Sequence, residues 1–146
     1  MLETNTQAPD FTLPDQNGKV HTLSGYKGQY ILVYFYPEDD TPGCIKEACA
    51  IREVYGDFEK NNIKVFGISA DTVDSHKKFE EKYGLPFTLL SDPEKKVILP
   101  YGSGTILTKR ISYLINPEGV IVKAYPKVDP VHHGEEILKD VYALSK

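Results

Sequence analysis

The chain has 146 residues, of which 40% are hydrophobic and 26% charged, and a formal net charge of -4. This balance excludes a disordered or fibrous protein, fits a single domain over residues 1–146, and carries no basic block or stripe that would hold nucleic acid or anionic lipid. The longest apolar run, Tyr30 to Tyr36, is far short of the ~20 residues that a membrane span needs. The first ten residues also lack the basic start and apolar core of a signal peptide, so a cytoplasmic protein is expected.

Ala8 to Leu13 and Lys19 to Leu23 are short alternating runs on either side of Pro14-Asp15-Gln16-Asn17-Gly18, and the Asn-Gly pair predicts a β-hairpin at the start of the domain. YILVYFY, from Tyr30 to Tyr36, is β-branched and aromatic without alternation, the mark of a strand buried on both faces. Pro37 ends it, because proline has no N–H for the ladder, and Glu38 to Gly43 is turn chemistry. From Cys44 the period changes. At 100° per residue Cys44, Ala48, Ile51, Tyr55 and Phe58 fall within about 80°, one apolar stripe of an amphipathic helix.

Lys64 to Ala70 reads as a second buried strand. Asp71 and Thr72 are N-cap candidates for a helix through Tyr83, closed by Gly84 and Pro86. A short strand, Phe87 to Leu90, precedes Asp92-Pro93-Glu94, which predicts the opening of a brief helix. Ile111 to Ile115 and Val120 to Ala124 form a hairpin about Asn116-Pro117-Glu118-Gly119, and an amphipathic helix from about His133 to Leu144 closes the chain. Strands alternating with helices predict an α/β domain with a mostly buried sheet and helices on both faces, and sites in such sheets lie at strand ends.

Both cysteines of the chain lie in YPEDDTPGCIKEACAIR, residues 36–52, where the first buried strand gives way to the helix. Two cysteines are too few for a disulfide scaffold, so a catalytic, redox or metal role competes with simple core packing. Cys44 sits in the first helical turn, where unpaired N–H groups and the positive end of the helix dipole favour its thiolate. Thr41 can turn its hydroxyl toward the sulfur or toward an oxygen bound beside it, and the same residue with Pro42 also suits ordinary N-cap and first-turn chemistry. Pro37 and Pro42 stiffen the loop, and Pro37 shields the site.

Cys49 lies about 140° around the helix from Cys44 and about 7.5 Å along it, so the Cα atoms are roughly 8.7 Å apart. A disulfide needs less than ~7 Å, so a bond between them requires local unwinding. Glu47 points a carboxylate into an otherwise apolar face and needs a partner. Arg110 is a candidate cation for the site, although by local sequence it also reads as a solvated strand-edge charge. His132 and His133 read as the solvated start of the last helix. None of the four histidines has a Cys or His at a zinc-finger spacing, so no metal is expected. The four residues between the cysteines also differ from the two of a thioredoxin-type site.

At these residues the sequence resembles the peroxiredoxins, and among them the bacterioferritin comigratory protein, or peroxiredoxin Q, subfamily. Pro37, Thr41 and Cys44 meet the family pattern of Pro, three residues, Thr or Ser, two residues, Cys, and Cys49 meets the subfamily's reach to a second cysteine. Similarity extends through APDFTLPDQNG, KEAC, GISADTVDSHKKFEEKYGLPFTLLSDPEKKV and the strand after Arg110. Ile45 stands where Thr is usual, and the segment from Ile98 to Lys109 is shorter than in relatives.

The resemblance implies a thioredoxin-like fold, a central mixed sheet flanked by helices. It implies that Cys44 is the peroxidatic cysteine, that Thr41 and Pro37 shape its pocket, that Arg110 stabilises thiolate and peroxide, and that Glu47 belongs to the same hydrogen-bond network. It implies reduction of hydrogen peroxide and organic hydroperoxides, a Cys44–Cys49 disulfide, and regeneration by thioredoxin or a similar thiol reductant. No metal or other cofactor is required, and a monomer or at most a weak dimer is expected. A disulfide oxidoreductase without peroxide chemistry and a non-enzymatic binding module with inert cysteines are the competing readings.

Overall fold

The structure, a computed structural model, describes residues 1–104 and 107–145. Strands β1 (Thr12–Pro14) and β2 (Val20–Thr22) pair antiparallel about the Asn17-Gly18 turn. Gly18 takes the left-handed φ of +78° that the tight turn requires, and the Asp15 carboxylate accepts from the N–H groups of Asn17 and Lys19 at 2.8 and 3.0 Å. A 3-10 helix, Leu23–Tyr26, leads to the central strand β3 (Tyr30–Phe35).

Helix α1 (Pro42–Glu53) and the short α2 (Tyr55–Lys60) follow, then β4 (Ile63–Ser69), α3 (Val73–Tyr83), β5 (Thr88–Ser91), β6 (Ile111–Ile115), β7 (Ile121–Tyr125) and α4 (His133–Leu144). The five-stranded sheet has the order β5-β4-β3-β6-β7, with β3, β4 and β5 parallel and β6 and β7 antiparallel to their neighbours. This is the mixed sheet of a thioredoxin-like fold, flanked by helices and preceded by the hairpin.

β3 is apolar on both sides because each side enters a different core. Leu32 and Tyr34 join Cys44, Ala48, Ile51, Phe58, Phe79 and Ile137, from all four α-helices. Ile31, Val33 and Phe35 meet Phe11, Leu13, Leu23, Val97, Ile98 and Tyr101. The expectation of helices on both faces is therefore met unevenly. The α-helices bury their apolar residues on one face, and the other is roofed by the hairpin, the 3-10 helix and a run of turns.

Two local expectations change. The apolar stripe from Cys44 to Phe58 is buried as the spacing predicts, but the helix carrying it divides at Val54, whose φ of -109° and ψ of 10° leave the helical region. Val54 and Gly56 are poor helix formers, and Gly134 of α4 approaches so closely here that a Cβ on it would lie 3.0 Å from Val54 Cγ2. After Asp92 the chain makes turns in place of the brief helix, since Lys95 takes a φ of +56°. The buried Asp92 carboxylate accepts from the N–H groups of Lys96, Val97 and Ile98 at 2.8, 2.9 and 2.8 Å, further along than an N-cap reaches. Replacing Asp92 by Ala leaves these donors without a partner, and a loss of roughly 3 kcal/mol is expected. Urea unfolding of the two proteins checks it, with Asp92→Asn expected to retain a larger part of the stability.

Candidate active site

The sheet register brings the site together. In the antiparallel pair Phe35 lies opposite Ile111, and in the parallel pair Phe35 lies opposite Ile68. The end of β3, the end of β4 and the start of β6 thus converge where α1 begins. Arg110, one residue before β6, is delivered to the first turn of α1.

Cys44 is buried, 2% exposed, and faces the core shared by Tyr34 and Ala48. Arg110 joins the sulfur to Glu47. Its Nη2 donates to Cys44 Sγ at 3.3 Å and its Nη1 donates to Glu47 Oε1 at 2.6 Å. The carboxylate that the helical wheel directs into an apolar face thus has its partner, and the reading of Arg110 as a solvated strand-edge charge is set aside, since its side chain is only 19% exposed. The Cys44 and Glu47 hydrogen bonds hold the guanidinium more firmly protonated than usual against the opposing effect of burial.

Burial has the opposite sign for the carboxyl. Desolvation pushes Glu47 up to about 7 despite the pull of Arg110, and its second oxygen, Oε2, has no hydrogen-bond partner among the described residues. The Tyr34 hydroxyl in the same core is also without one.

Thr41 occupies the N-cap of α1 with extended backbone, but its side chain makes no capping bond. Its hydroxyl donates to the Glu38 carbonyl at 2.8 Å, so in this conformation it is turned away from the sulfur. Pro37 is on the exposed side of the loop. Cys49 is half-buried on the flank of α1, as the wheel predicts, and both cysteines are free thiols in an unbroken helix. Ile45 packs partly buried against the core that holds Cys44. Residues 105 and 106, within the segment from Ile98 to Lys109, lie outside the described residues.

Sequence reasoning missed the support behind the loop. Asp39 is buried and receives the Tyr36 hydroxyl at 2.6 Å and the Ser75 hydroxyl at 2.8 Å, with His76 Nδ1 at 2.7 Å. His76 Nε2 donates to the Leu90 carbonyl at 2.9 Å, and the Asp39 N–H donates to Asp71. Ligand atoms of Asp39, Asp71 and His76 lie within 4.8 Å of one another, as a metal would require. Their hydrogen bonds to one another and to Ser69 and Ser75 make the group a buried polar network that ties the loop to α3 and β4. No spacing rule marks Asp39, which looks like an ordinary turn residue. The Asp40 carboxylate, two oxygens toward α3, takes Lys82 Nζ and the Tyr83 hydroxyl at 2.8 Å each, and Arg52 donates to the Tyr83 carbonyl at 2.5 Å.

His133 also departs from its expected place. It is fully buried, between Ser112 Oγ and Glu136 Oε1 at 2.9 Å each, and burial lowers its basicity. His132 is exposed beside Asp129, as expected. A cavity of about 350 Å³ lined by Ala8, Leu23, Ile31 and Ile115 opens at the other end of β3 and takes no part in the site.

A buried thiol held by an arginine at a helix start is an arrangement suited to thiol chemistry. The AhpC/TSA family profile matches residues 4–124, and the chain belongs to that family. It is 46% identical to the chloroplastic peroxiredoxin Q of Oryza sativa subsp. japonica over 149 residues, covering 98% of this chain and 68% of the relative. A Coxiella burnetii protein named as a peroxiredoxin of the bcp type is 42% identical over 146 residues, 94% of this chain and 97% of the relative. The solved structure of Xanthomonas campestris bacterioferritin comigratory protein, studied for its alkyl peroxide reduction, superposes with a TM-score of 0.91 at 29% identity, covering 99% and 100% of the two chains. The chain is thus a peroxiredoxin, a thiol peroxidase, of the bacterioferritin comigratory protein or peroxiredoxin Q branch.

The Glu47 environment sets a pH dependence. The folded state holds its proton up to about 7 and the unfolded chain releases it near 4.5. Between those values the folded state binds more protons, so stability falls as pH rises through the window, by up to roughly 3 kcal/mol. Urea unfolding of reduced wild type and Glu47→Gln at several pH values checks this. The wild type is expected to lose stability relative to the variant from about pH 4.5 to 7, and a constant difference would show that Glu47 ionises like a solvated carboxyl.

Proposed function

We propose that the chain reduces hydrogen peroxide and organic hydroperoxides with Cys44 as the peroxidatic thiol and Cys49 as the resolving one. The observation that carries this reading is the Arg110 guanidinium, 3.3 Å from Cys44 Sγ and anchored at 2.6 Å to Glu47. A fixed guanidinium donor beside the sulfur at a helix start is placed to hold the attacking atom and to meet the charge that develops as the O–O bond breaks.

In the cycle, the Cys44 thiolate attacks one peroxide oxygen and the O–O bond breaks. The sulfur becomes a sulfenic acid, and the other oxygen leaves with a proton as water or an alcohol. Arg110 and the N–H groups at the start of α1 stabilise the negative charge that develops on the leaving oxygen. Thr41, on rotating its hydroxyl from Glu38, adds a hydrogen bond to a bound peroxide, and Pro37 limits the loop conformations around it. The Cys49 thiol then condenses with the sulfenic acid, releasing water and forming the disulfide. A thioredoxin-like dithiol reduces that bond by exchange and is itself oxidised.

The free thiols share a continuous helix, so the condensation requires α1 to unwind between them. The alkyl peroxide reduction studied in the Xanthomonas relative supports organic hydroperoxides as substrates. A single domain over residues 1–146, a monomeric or weakly dimeric state and a cytoplasmic location belong to the same reading, the last because recycling needs a thiol reductant. Among the described residues no helix is long and apolar enough to cross a membrane.

A peroxide-consumption assay coupled to thioredoxin tests the assignment. Cys44→Ser is expected to abolish turnover, and Cys49→Ser to consume about one equivalent of peroxide before stopping unless an external thiol resolves it. Multi-turnover activity in Cys44→Ser would remove Cys44 from its role, and an inert wild type would favour the binding module. Hydrogen exchange supplies a second check, with amides from Cys44 to Cys49 losing protection in the oxidised protein; equal protection in both redox forms would refute the unwinding step.

A further inference from the structure

Gly43 is a glycine that its backbone does not explain. It lies inside α1 and is absent from the residues of positive φ, whereas Gly18, Gly84 and Gly119 sit at φ of +78°, +59° and +84°. Glycine is among the poorest helix formers, and alanine here would favour the helix. What excludes a side chain is Arg110. A Cβ on residue 43 would lie 2.8 Å from Nη2, so close that the guanidinium must shift, and 3.5 Å from Cζ, an ordinary contact. That same Nη2 donates to Cys44 Sγ.

We propose that Gly43 is a positioning residue, whose missing side chain is the space through which Arg110 reaches the Cys44 sulfur. This deepens the proposed function and rests on Cys44 being the reacting thiol. The guanidinium has little room to yield in place, because Nη1 is held by Glu47 at 2.6 Å and the carboxylate is fully buried. A methyl group at residue 43 therefore displaces Nη2 from the sulfur, while Nη1 keeps its bond to Glu47. The obstacle is the mobile end of an arginine and no backbone atom, so the variant folds and the damage falls on the chemistry.

The experiment uses reduced full-length protein carrying Cys49→Ser, so that the first chemical step is seen alone. Gly43→Ala is compared with its parent in both the single-turnover rate with hydrogen peroxide and the rate of Cys44 alkylation by iodoacetamide. Both are expected to fall roughly tenfold, the order expected for one lost charge-assisted hydrogen bond, with no lowering of the melting temperature. In an Arg110→Ala background the same substitution is expected to change either rate by less than about twofold, since residues acting through one contact are not additive.

Unchanged rates in Gly43→Ala, or an equal fall with and without Arg110, would overturn the proposal. So would a variant with Cys49 restored in which only disulfide formation slows, for Gly43 would then serve helix unwinding. A parent that alkylates but does not react with peroxide would overturn the proposed function instead, and the alkylation rates would still decide the role of Gly43.

Discussion

One guanidinium is shared between a thiol and a carboxyl, and all three groups are largely removed from water. Cys44 is 2% exposed, and the side chains of Arg110 and Glu47 are 19% and 0% exposed. Charges placed in such surroundings are stable only while paired, and removing one partner of a buried pair typically destabilises by about 3–5 kcal/mol. The loop, the helix start and the strand that bring these groups together are therefore held to one arrangement. Strand pairing sets it, since Phe35 opposite Ile111 determines where the chain before β6 emerges. A slip of one residue would reverse the sides of the sheet to which the strand's residues point.

The fold was legible wherever periodicity and turn chemistry act locally. The apolar run of β3, the Asn17-Gly18 hairpin, the Thr72 cap that accepts from Ser75 N and the αL closure at Gly84 all lie where the residue types direct them. Elements decided by distant contacts were not legible. Val54 breaks a continuous apolar stripe where α4 crowds it, and Asp92 reaches past the position of a cap to donors set by the turn at Lys95.

The same division runs through the site. Glu47 announces itself as a carboxylate on an apolar face, and its need for a partner follows from charge burial alone. That the partner is Arg110, 63 residues away in sequence, depends on sheet register. His133 was misjudged because its neighbour His132 is solvated and only the packing against Ser112 and Tyr125 separates the two. Gly43 looked like turn chemistry because glycine usually marks backbone freedom, and its reason is a side chain arriving from another strand.

The ties to α3 have a kinetic consequence. Asp39 and Asp40 fasten the chain before α1 to Ser75, His76, Lys82 and Tyr83, and Arg52 fastens its far end to the Tyr83 carbonyl. In the proposed cycle the helix between these anchors becomes a short tether with both ends pinned. A tether confines Cys49 near Cys44 at an effective concentration on the order of millimolar or above. Resolution then proceeds as a first-order encounter whose rate is independent of protein concentration. It competes with a second peroxide molecule for the sulfenic acid, so the tether length sets the peroxide level at which over-oxidation begins.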